Sequence, residues 1–125
     1  MDKVEALEIS NEVYPKIVKY FGKGDQPVPK VEAHRSIFAR LSGEEEMEGD
    51  QDPSAEYDRE ENMMFIYYPN IPDKEDLIRA LIHEYTHYLQ DGEKMKQMYK
   101  DGYTYQNHPY ELEAIRSEEQ WFKFV

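Results

Sequence analysis

Two histidines and a glutamate stand close together in the segment HEYTH, as His83, Glu84 and His87. A helix turns by about 100° per residue, so the two histidines lie about 40° apart on one face. Imidazoles at this spacing can bind one zinc ion, and Glu84 is rotated far enough to miss the metal. In the pattern His-Glu-x-x-His the glutamate acts as general base toward a water activated by zinc. The predicted chemistry is metal-assisted hydrolysis.

The helix that must carry this motif is predicted over residues 73–91. Asp73 is a favourable N-cap, and Asp76 follows three residues later in a near capping-box pattern. Gly92 is the predicted end of the helix. Ala80 lies under the histidines, where a small residue allows close approach. An apolar face opposite the polar stripe is formed by Leu77, Ile78, Leu81, Tyr85, Tyr88 and Leu89.

A catalytic zinc ion needs a third protein ligand and one open position. The metzincin pattern supplies a glycine and a third histidine after the second histidine, but Gln90 and Glu93 occupy those positions. That class is therefore rejected. The other source is a carboxylate from a second helix that returns antiparallel to the first.

A second helix is predicted to begin at His108, with Pro109 in its first turn. It offers two candidate ligands, Glu111 and Glu113. We favour Glu113, because the small Ala114 that follows it would let the two helices approach. The residues expected to face the core are Leu112, Ile115, Trp121 and Phe122.

Hydrolysis also needs a group that stabilises the oxyanion. Tyr103, Tyr105 and His108 lie between the two ligand helices, and each could donate a hydrogen bond. We take Tyr105 and His108 as the candidates. The alternative for each tyrosine is ordinary packing of its ring.

The segment HEYTH followed by ELEA resembles the gluzincin metallopeptidases, and the short chain resembles their minimal members, the minigluzincins. It is also similar to uncharacterised phage zincin-like proteins. The resemblance covers residues 62–118 and implies His83, His87 and Glu113 as zinc ligands, with Glu84 as general base. It also implies that the strand MMFIYYP, residues 63–69, lines the cleft. The Asn-Glu-x-x-Ser-Asp form of the larger enzymes is absent, and Ser117 and Glu118 stand where its Ser-Asp is expected.

The remaining elements are short. Residues 3–21 predict one amphipathic helix, or two divided at Pro15, ending at Gly22. Residues 28–34 predict an edge strand, and the following SIFARL a strand or a helical turn. The acidic stretch 43–56 predicts a loop, and 55–69 a hairpin with REEN as its turn. The expected fold is a single α+β domain over 1–125, compact and zincin-like, with a small sheet packed against the active-site helix and further helices.

Composition limits the partners. The 125 residues include 27 Asp and Glu against 15 Lys and Arg, for a net charge of -12. An acidic surface repels phosphate, so nucleic-acid binding is not expected. There is no cysteine, so any zinc must use imidazole and carboxylate. No signal peptide and no membrane span is visible, and we expect a cytoplasmic or intracellular protein. The oligomeric state is left open.

The function that these features predict is a zinc-dependent endopeptidase acting on peptide or protein substrates. A zinc-binding interaction module without turnover is the first alternative, and an acidic decoy protein is the second. The apolar C-terminal tail is expected to dock on the core. A sharper hypothesis is that residues 121–125 occlude the cleft and keep the enzyme latent.

Overall fold

A three-stranded mixed sheet and five α-helices make up the part of the chain that the computed structural model describes, residues 1–49 and 51–125. This is the predicted α+β fold. No helix in these two ranges is long and apolar enough to cross a bilayer. The helices are α1 (Lys3–Phe21), α2 (Ile37–Ser42), α3 (Lys74–Leu89), α4 (Gly92–Lys100) and α5 (Pro109–Ser117). The strands are β1 (Lys30–His34), β2 (Ala55–Asp58) and β3 (Met63–Tyr67), and short 3-10 helices span Tyr68–Asn70 and Glu118–Phe124.

The N-terminal segment forms one helix rather than two. Asp2 caps α1 by accepting a hydrogen bond from the backbone N–H of Glu5, and Gly22 ends it with φ of 85°. Pro15 stands inside the helix on its exposed side. The buried side chains recur every three to four residues, so α1 presents one continuous face to the core. They are Ala6, Ser10, Val13 and Ile17.

The sheet has the order β1-β3-β2, so β3 is its central strand. β1 runs parallel to β3, and β2 pairs with it antiparallel, with Asp58 opposite Met63. The predicted hairpin is confirmed, and its turn at residues 59–62 contains Asn62 with φ of 53°. The predicted edge strand is also confirmed as β1. SIFARL forms the helix α2, capped by Ser36. In the acidic stretch 43–56, Asp50 lies outside the described residues, and β2 begins at Ala55.

The position of β3 corrects one expectation. The resemblance implied that residues 63–69 line the cleft, but β3 is paired on both sides, and Met64 to Tyr67 are buried. A strand with both backbone edges paired cannot receive another strand. The open edge beside α3 belongs to β2, which therefore takes the place expected of β3.

Helix α3 begins as predicted and ends earlier. Asp73 accepts a hydrogen bond from the backbone N–H of Asp76 at 2.9 Å. The helix ends at Leu89, and Gly92 is the first residue of α4 instead of the terminator of α3. The reason is that Asp91 caps a new helix by accepting hydrogen bonds from two backbone N–H groups.

Helix α5 is rotated relative to the expectation. Glu111 and Ala114 are buried, whereas Leu112 and Ile115 are 37% and 50% exposed. Phe122 is exposed as well, and Trp121 is partly buried against the core. Glu111, Ala114 and Glu118 follow one another at spacings of three and four residues, so they share the face that turns toward α3. The polar contacts described below hold that face inward.

The chain end docks on the core, as expected. Phe124 is buried and packs against Tyr20 and Phe21 of α1. Residues 121–125 are all described, and none of them lines the cavities that border the HEYTH motif. The contacts of this tail therefore give no support to the hypothesis that it occludes a cleft.

Candidate metal centre

The two histidines of HEYTH converge on a buried carboxylate. Nε2 of His83 lies 3.3 Å from Nε2 of His87. Oε1 of Glu111 lies 2.9 Å from Nε2 of His87, and its Oε2 lies 3.3 Å from Nε2 of His83. One turn of α3 supplies both imidazoles, and the first turn of α5 supplies the carboxylate. The structure thus brings together two nitrogens and one carboxylate at a single point.

The carboxylate at this point is that of Glu111, not of Glu113. Glu113 is exposed and accepts a hydrogen bond from the side chain of Gln90 at 3.0 Å. The preference for Glu113 is therefore corrected in favour of the alternative, Glu111. The physical reason is the rotation of α5, because two residues along a helix are about 200° apart and cannot both face α3. Ala114 does allow close approach, but it shares a face with Glu111.

The separations of these atoms fit a metal ion. Tetrahedral bonds of about 2.0–2.1 Å hold neighbouring ligand atoms roughly 3.3–3.4 Å apart. The observed contacts of 2.9 and 3.3 Å are close to this spacing. Oε2 of Glu111 is also buried, and among the described residues only Nε2 of His83, 3.3 Å away, meets it. A buried carboxylate oxygen of this kind is costly unless a cation meets it.

Glu84 lies beside the same point. Its carboxylate and the two histidine rings offer atoms that all lie within 4.8 Å of one another. The side chain is buried, and Oε2 finds no hydrogen-bond partner in the described part of the chain. Burial raises the pKa of Glu84 to about 7, against the opposing effect of His83 and His87. A carboxylate in this state is suited to exchange a proton near neutral pH.

The histidine rings are oriented from behind by two side chains. Nδ1 of His83 hydrogen-bonds Oε2 of Glu118 at 2.8 Å, and Nδ1 of His87 hydrogen-bonds Oε1 of Gln90 at 2.7 Å. These contacts turn Nε2 of both rings toward Glu111. Partners of this type fix the tautomer of a metal-binding histidine. Neither Glu118 nor Gln90 is among the site residues predicted from the sequence.

Gln90 connects the site to α5. Its side-chain amide donates hydrogen bonds to the carbonyl of Tyr110 and to Glu113, both at 3.0 Å. The same amide accepts from His87, so one side chain bridges the end of α3 and the beginning of α5. The sequence signal that could have found it is its place three residues after His87, where a helical side chain reaches back to the same face.

Contacts between His83 and Glu111 shift the pKa values of the two side chains in opposite directions. Burial lowers the pKa of His83, but the hydrogen bonds to Glu111 and Glu118 outweigh it and raise the pKa to about 10. Burial raises the pKa of Glu111, but the hydrogen bonds from His83 and His87 outweigh it and lower the pKa to about 2. Without a cation, a proton on the His83 imidazole therefore compensates the carboxylate.

Tyr105 is one of the two residues that the sequence predicts as hydrogen-bond donors to the oxyanion. It lines both cavities next to Glu84, and the residue is 65% exposed. Burial, and then the negative charges of Glu111 and Glu84, raise the pKa of Tyr105. Its hydroxyl therefore stays protonated at neutral pH and can donate to a group bound in the cleft.

His108 is not brought to the cleft. It is completely buried as the N-cap of α5, where Nδ1 accepts from the backbone N–H of Tyr110 at 3.1 Å. Nε2 lies 3.2 Å from the carbonyl of Met95, and the ring packs against Tyr99. The prediction of His108 as a catalytic residue is therefore corrected, because both ring nitrogens are engaged with backbone groups. Tyr103, which also packs near His108, is exposed.

The geometry thus contains a His-Glu-x-x-His cluster that could bind a metal ion, at the bottom of a cleft between β2 and α5. Two nitrogen ligands and one carboxylate match the donors that zinc accepts in proteins without cysteine. Comparison of the chain with known proteins found no matching family model, no matching curated protein and no matching solved structure.

Proposed function

We propose that this protein is a zinc-dependent peptidase that hydrolyses peptide bonds with Glu84 as general base. The observation that carries the proposal is the convergence of His83, His87 and Glu111 within 3.3 Å, beside the buried carboxylate of Glu84. A structural role alone does not require two imidazoles, two buried carboxylates and two oriented Nδ1 atoms at one point.

The three ligands proposed here leave room for substrate. His83, His87 and Glu111 would hold the ion, and zinc in such a site polarises a carbonyl and acidifies a water molecule. Glu118 and Gln90 hold the Nδ1 atoms of the two rings and would thereby keep both Nε2 atoms available to the ion. Three protein ligands are the number found in catalytic zinc sites, whereas structural sites use four.

Glu84 is proposed to move the proton. Its carboxylate takes a proton from the attacking water, while the water oxygen bonds to the carbonyl carbon of the scissile peptide. The carbon–nitrogen bond then breaks, and Glu84 delivers the proton to the leaving amine. Burial of this carboxylate supports the role, because it makes protonation at neutral pH accessible.

The edge of the sheet supports a peptide substrate. The N–H of Tyr67 donates to the carbonyl of Ser54 at 2.8 Å, and the register places Glu56 opposite Phe65. Antiparallel pairing alternates along a strand, so Ala55 and Tyr57 turn their N–H and C=O groups away from β3, onto the open edge. Both residues line the cleft. An extended peptide can add there as a further strand.

Tyr105 is proposed as the donor to the oxyanion. Its side chain lines the same cavity as His83 and Glu84. Stabilising the charge that develops on the carbonyl oxygen is worth about a hundredfold or more in rate. A Tyr105→Phe variant should therefore lose that factor in kcat while it keeps its zinc.

The test compares the zinc-loaded protein with its Glu84→Gln variant on casein and on a fluorogenic peptide mixture. We expect cleavage by the wild type, loss of at least a thousandfold in the variant, and one zinc per chain in both. His83→Ala should lose the metal as well as the activity. Unaltered cleavage by Glu84→Gln would exclude the proposed mechanism.

The same measurements separate the two alternatives. A zinc-binding interaction module would bind the metal and cleave nothing with either protein. An acidic decoy would bind basic partners equally well after His83→Ala. The alternatives need no general base, so the buried Glu84 favours the peptidase.

A further inference from the structure

A cavity of about 430 Å³ opens beside His83 and Glu84 and extends along α3 toward its N-terminus. Ser54, and Ala55 at the start of β2, line this cavity, and so does Glu118. Because it borders the general base, this cavity is in reach of a side chain next to the scissile bond. A cavity in this position has room for a side chain of a bound peptide.

The charged side chains that line this cavity differ in whether they already have a hydrogen-bond or ion-pair partner. Arg79 donates from Nε to Glu75 at 3.0 Å and stacks over Trp121, with 5.7 Å between the guanidinium and the ring centre. Glu118 is bound to His83. Among the described residues, the carboxylate of Asp76 has neither a hydrogen-bond partner nor an ion pair, although its backbone N–H takes part in the helix cap. Apart from Glu84, the proposed general base, Asp76 is thus the charged side chain of this cavity that has no partner in the described part of the chain.

Spacing along α3 directs this carboxylate into the cavity. Asp76, Ala80 and His83 follow at intervals of four and three residues, so they share one helix face. Seven residues correspond to about 10 Å along the helix axis. Ala80, halfway, carries a side chain too small to block the passage. The length suits a long side chain with its polar group at the end.

We propose that this cavity receives a lysine or arginine side chain of the substrate, adjacent to the scissile bond, and that Asp76 selects it. This inference rests on the proposed peptidase function and names its substrate class. The aliphatic part of the side chain lies over Ala80, and the cationic group reaches Asp76. Arg79 does not repel it strongly, because Glu75 compensates its charge.

The test uses the zinc-loaded protein and a set of peptides identical except at one position beside the scissile bond, where lysine, norleucine or glutamate stands. We expect kcat/KM to be highest for lysine, by about fivefold over norleucine. In Asp76→Asn this ratio should fall to about one, and in Asp76→Lys the glutamate peptide should be preferred. Glu8→Gln, which removes an exposed charge on α1, is the matched control and should keep the wild-type ratio.

A second variant tests the cavity without changing its charge. Ala80→Leu should reduce cleavage of the lysine peptide more than that of a peptide with alanine at the same position. Peptides that carry the lysine far from the scissile bond control for attraction by the overall charge of the protein. Equal rates for near and distant lysine would overturn the inference.

The two hypotheses fail in different ways. Cleavage without preference for lysine would overturn the selection by Asp76 and leave the peptidase intact. Absence of all cleavage would refute the peptidase, and binding then decides the inference. In that case fluorescence anisotropy with zinc-loaded Glu84→Gln should show tighter binding of the lysine peptide, lost in the double variant with Asp76→Asn. Equal binding of lysine and norleucine peptides would reject it.

Discussion

Nδ1 of His83 lies 2.8 Å from Oε2 of Glu118, a residue that belongs to the terminal 3-10 helix. This contact joins the chain end to the centre of α3 and directs Nε2 of the ring toward Glu111. The position of the chain end and the geometry of the candidate metal centre therefore depend on each other. A change in either should alter the other.

Removing the Glu118 carboxylate should weaken the metal centre. In Glu118→Ala, His83 loses the acceptor that orients its ring, and we expect zinc affinity to fall about 10–100-fold. Competition with a chromogenic chelator measures this. Glu119→Ala, which changes an exposed neighbouring carboxylate, should bind zinc like the wild type. Equal affinities for the two variants would show that Glu118 does not support the site.

The two glutamates of α5 should respond differently to the same substitution. Glu111→Gln removes a charged ligand, so the protein should lose its stoichiometric zinc on gel filtration. Glu113→Gln keeps a side-chain oxygen that can accept the hydrogen bond from Gln90, and this variant should retain the metal. Zinc content measured by atomic emission checks both. Loss of zinc from Glu113→Gln alone would contradict the assignment of Glu111.

Ala114 sets the distance between α5 and α3. It is completely buried, and extra carbon atoms at a buried position force the neighbouring side chains to shift. We expect Ala114→Leu to lower the free energy of unfolding by about 1–3 kcal/mol and to weaken zinc binding, because Glu111 lies on the same face. Ile115→Ala alters the exposed face and should change unfolding by less than about 1 kcal/mol. Urea denaturation with zinc titration measures both.

The metal-free protein should lose stability as the pH rises. The folded state holds the proton of His83 up to a pKa of about 10, against an ordinary value of 6.5. Stabilisation from this raised pKa is complete below 6.5 and disappears as the pH passes 10. Glu111, with its pKa lowered to about 2, stabilises the fold above its ordinary 4.5 and is lost only in strong acid. Its contribution is therefore constant from neutral pH upward.

Urea denaturation in the presence of a chelator tests this pH dependence. We expect the free energy of unfolding to fall between pH 7 and 10. In Glu118→Ala the fall should be smaller, because one of the groups that raise the pKa of His83 is gone. A stability that increases over this range would contradict the assigned contacts.

Local spacing was sufficient to predict α3 and its motif. Asp73 caps the helix through its own side chain, and the interval between His83 and His87 is a property of any α-helix. The hairpin was predictable for a similar reason, because a polar turn separates two segments of strand-forming residues. These features depend on contacts between residues a few positions apart.

Local spacing could predict neither which strand forms the edge of the cleft nor the helix α4. Residues 63–67 are apolar enough to predict a strand, but apolarity does not say which neighbours pair with it. The parallel pairing of β1 places β3 in the centre and leaves β2 at the edge. Helix α4 buries none of its side chains, and Met95, Met98 and Tyr99 form too short an apolar pattern to predict a helix from the sequence.

The choice between Glu111 and Glu113 could not be predicted from the sequence. Both stand in ELEA beside a small alanine, and the apolar pattern of Leu112 and Ile115 favoured the wrong face. Only tertiary packing decides the rotation of α5. The contacts that stabilise its inward face are made with imidazoles and backbone groups far away in the sequence. His83 contacts the carboxylates of Glu111 and Glu118 together, and that pairing exists only once α3, α5 and the chain end have come together.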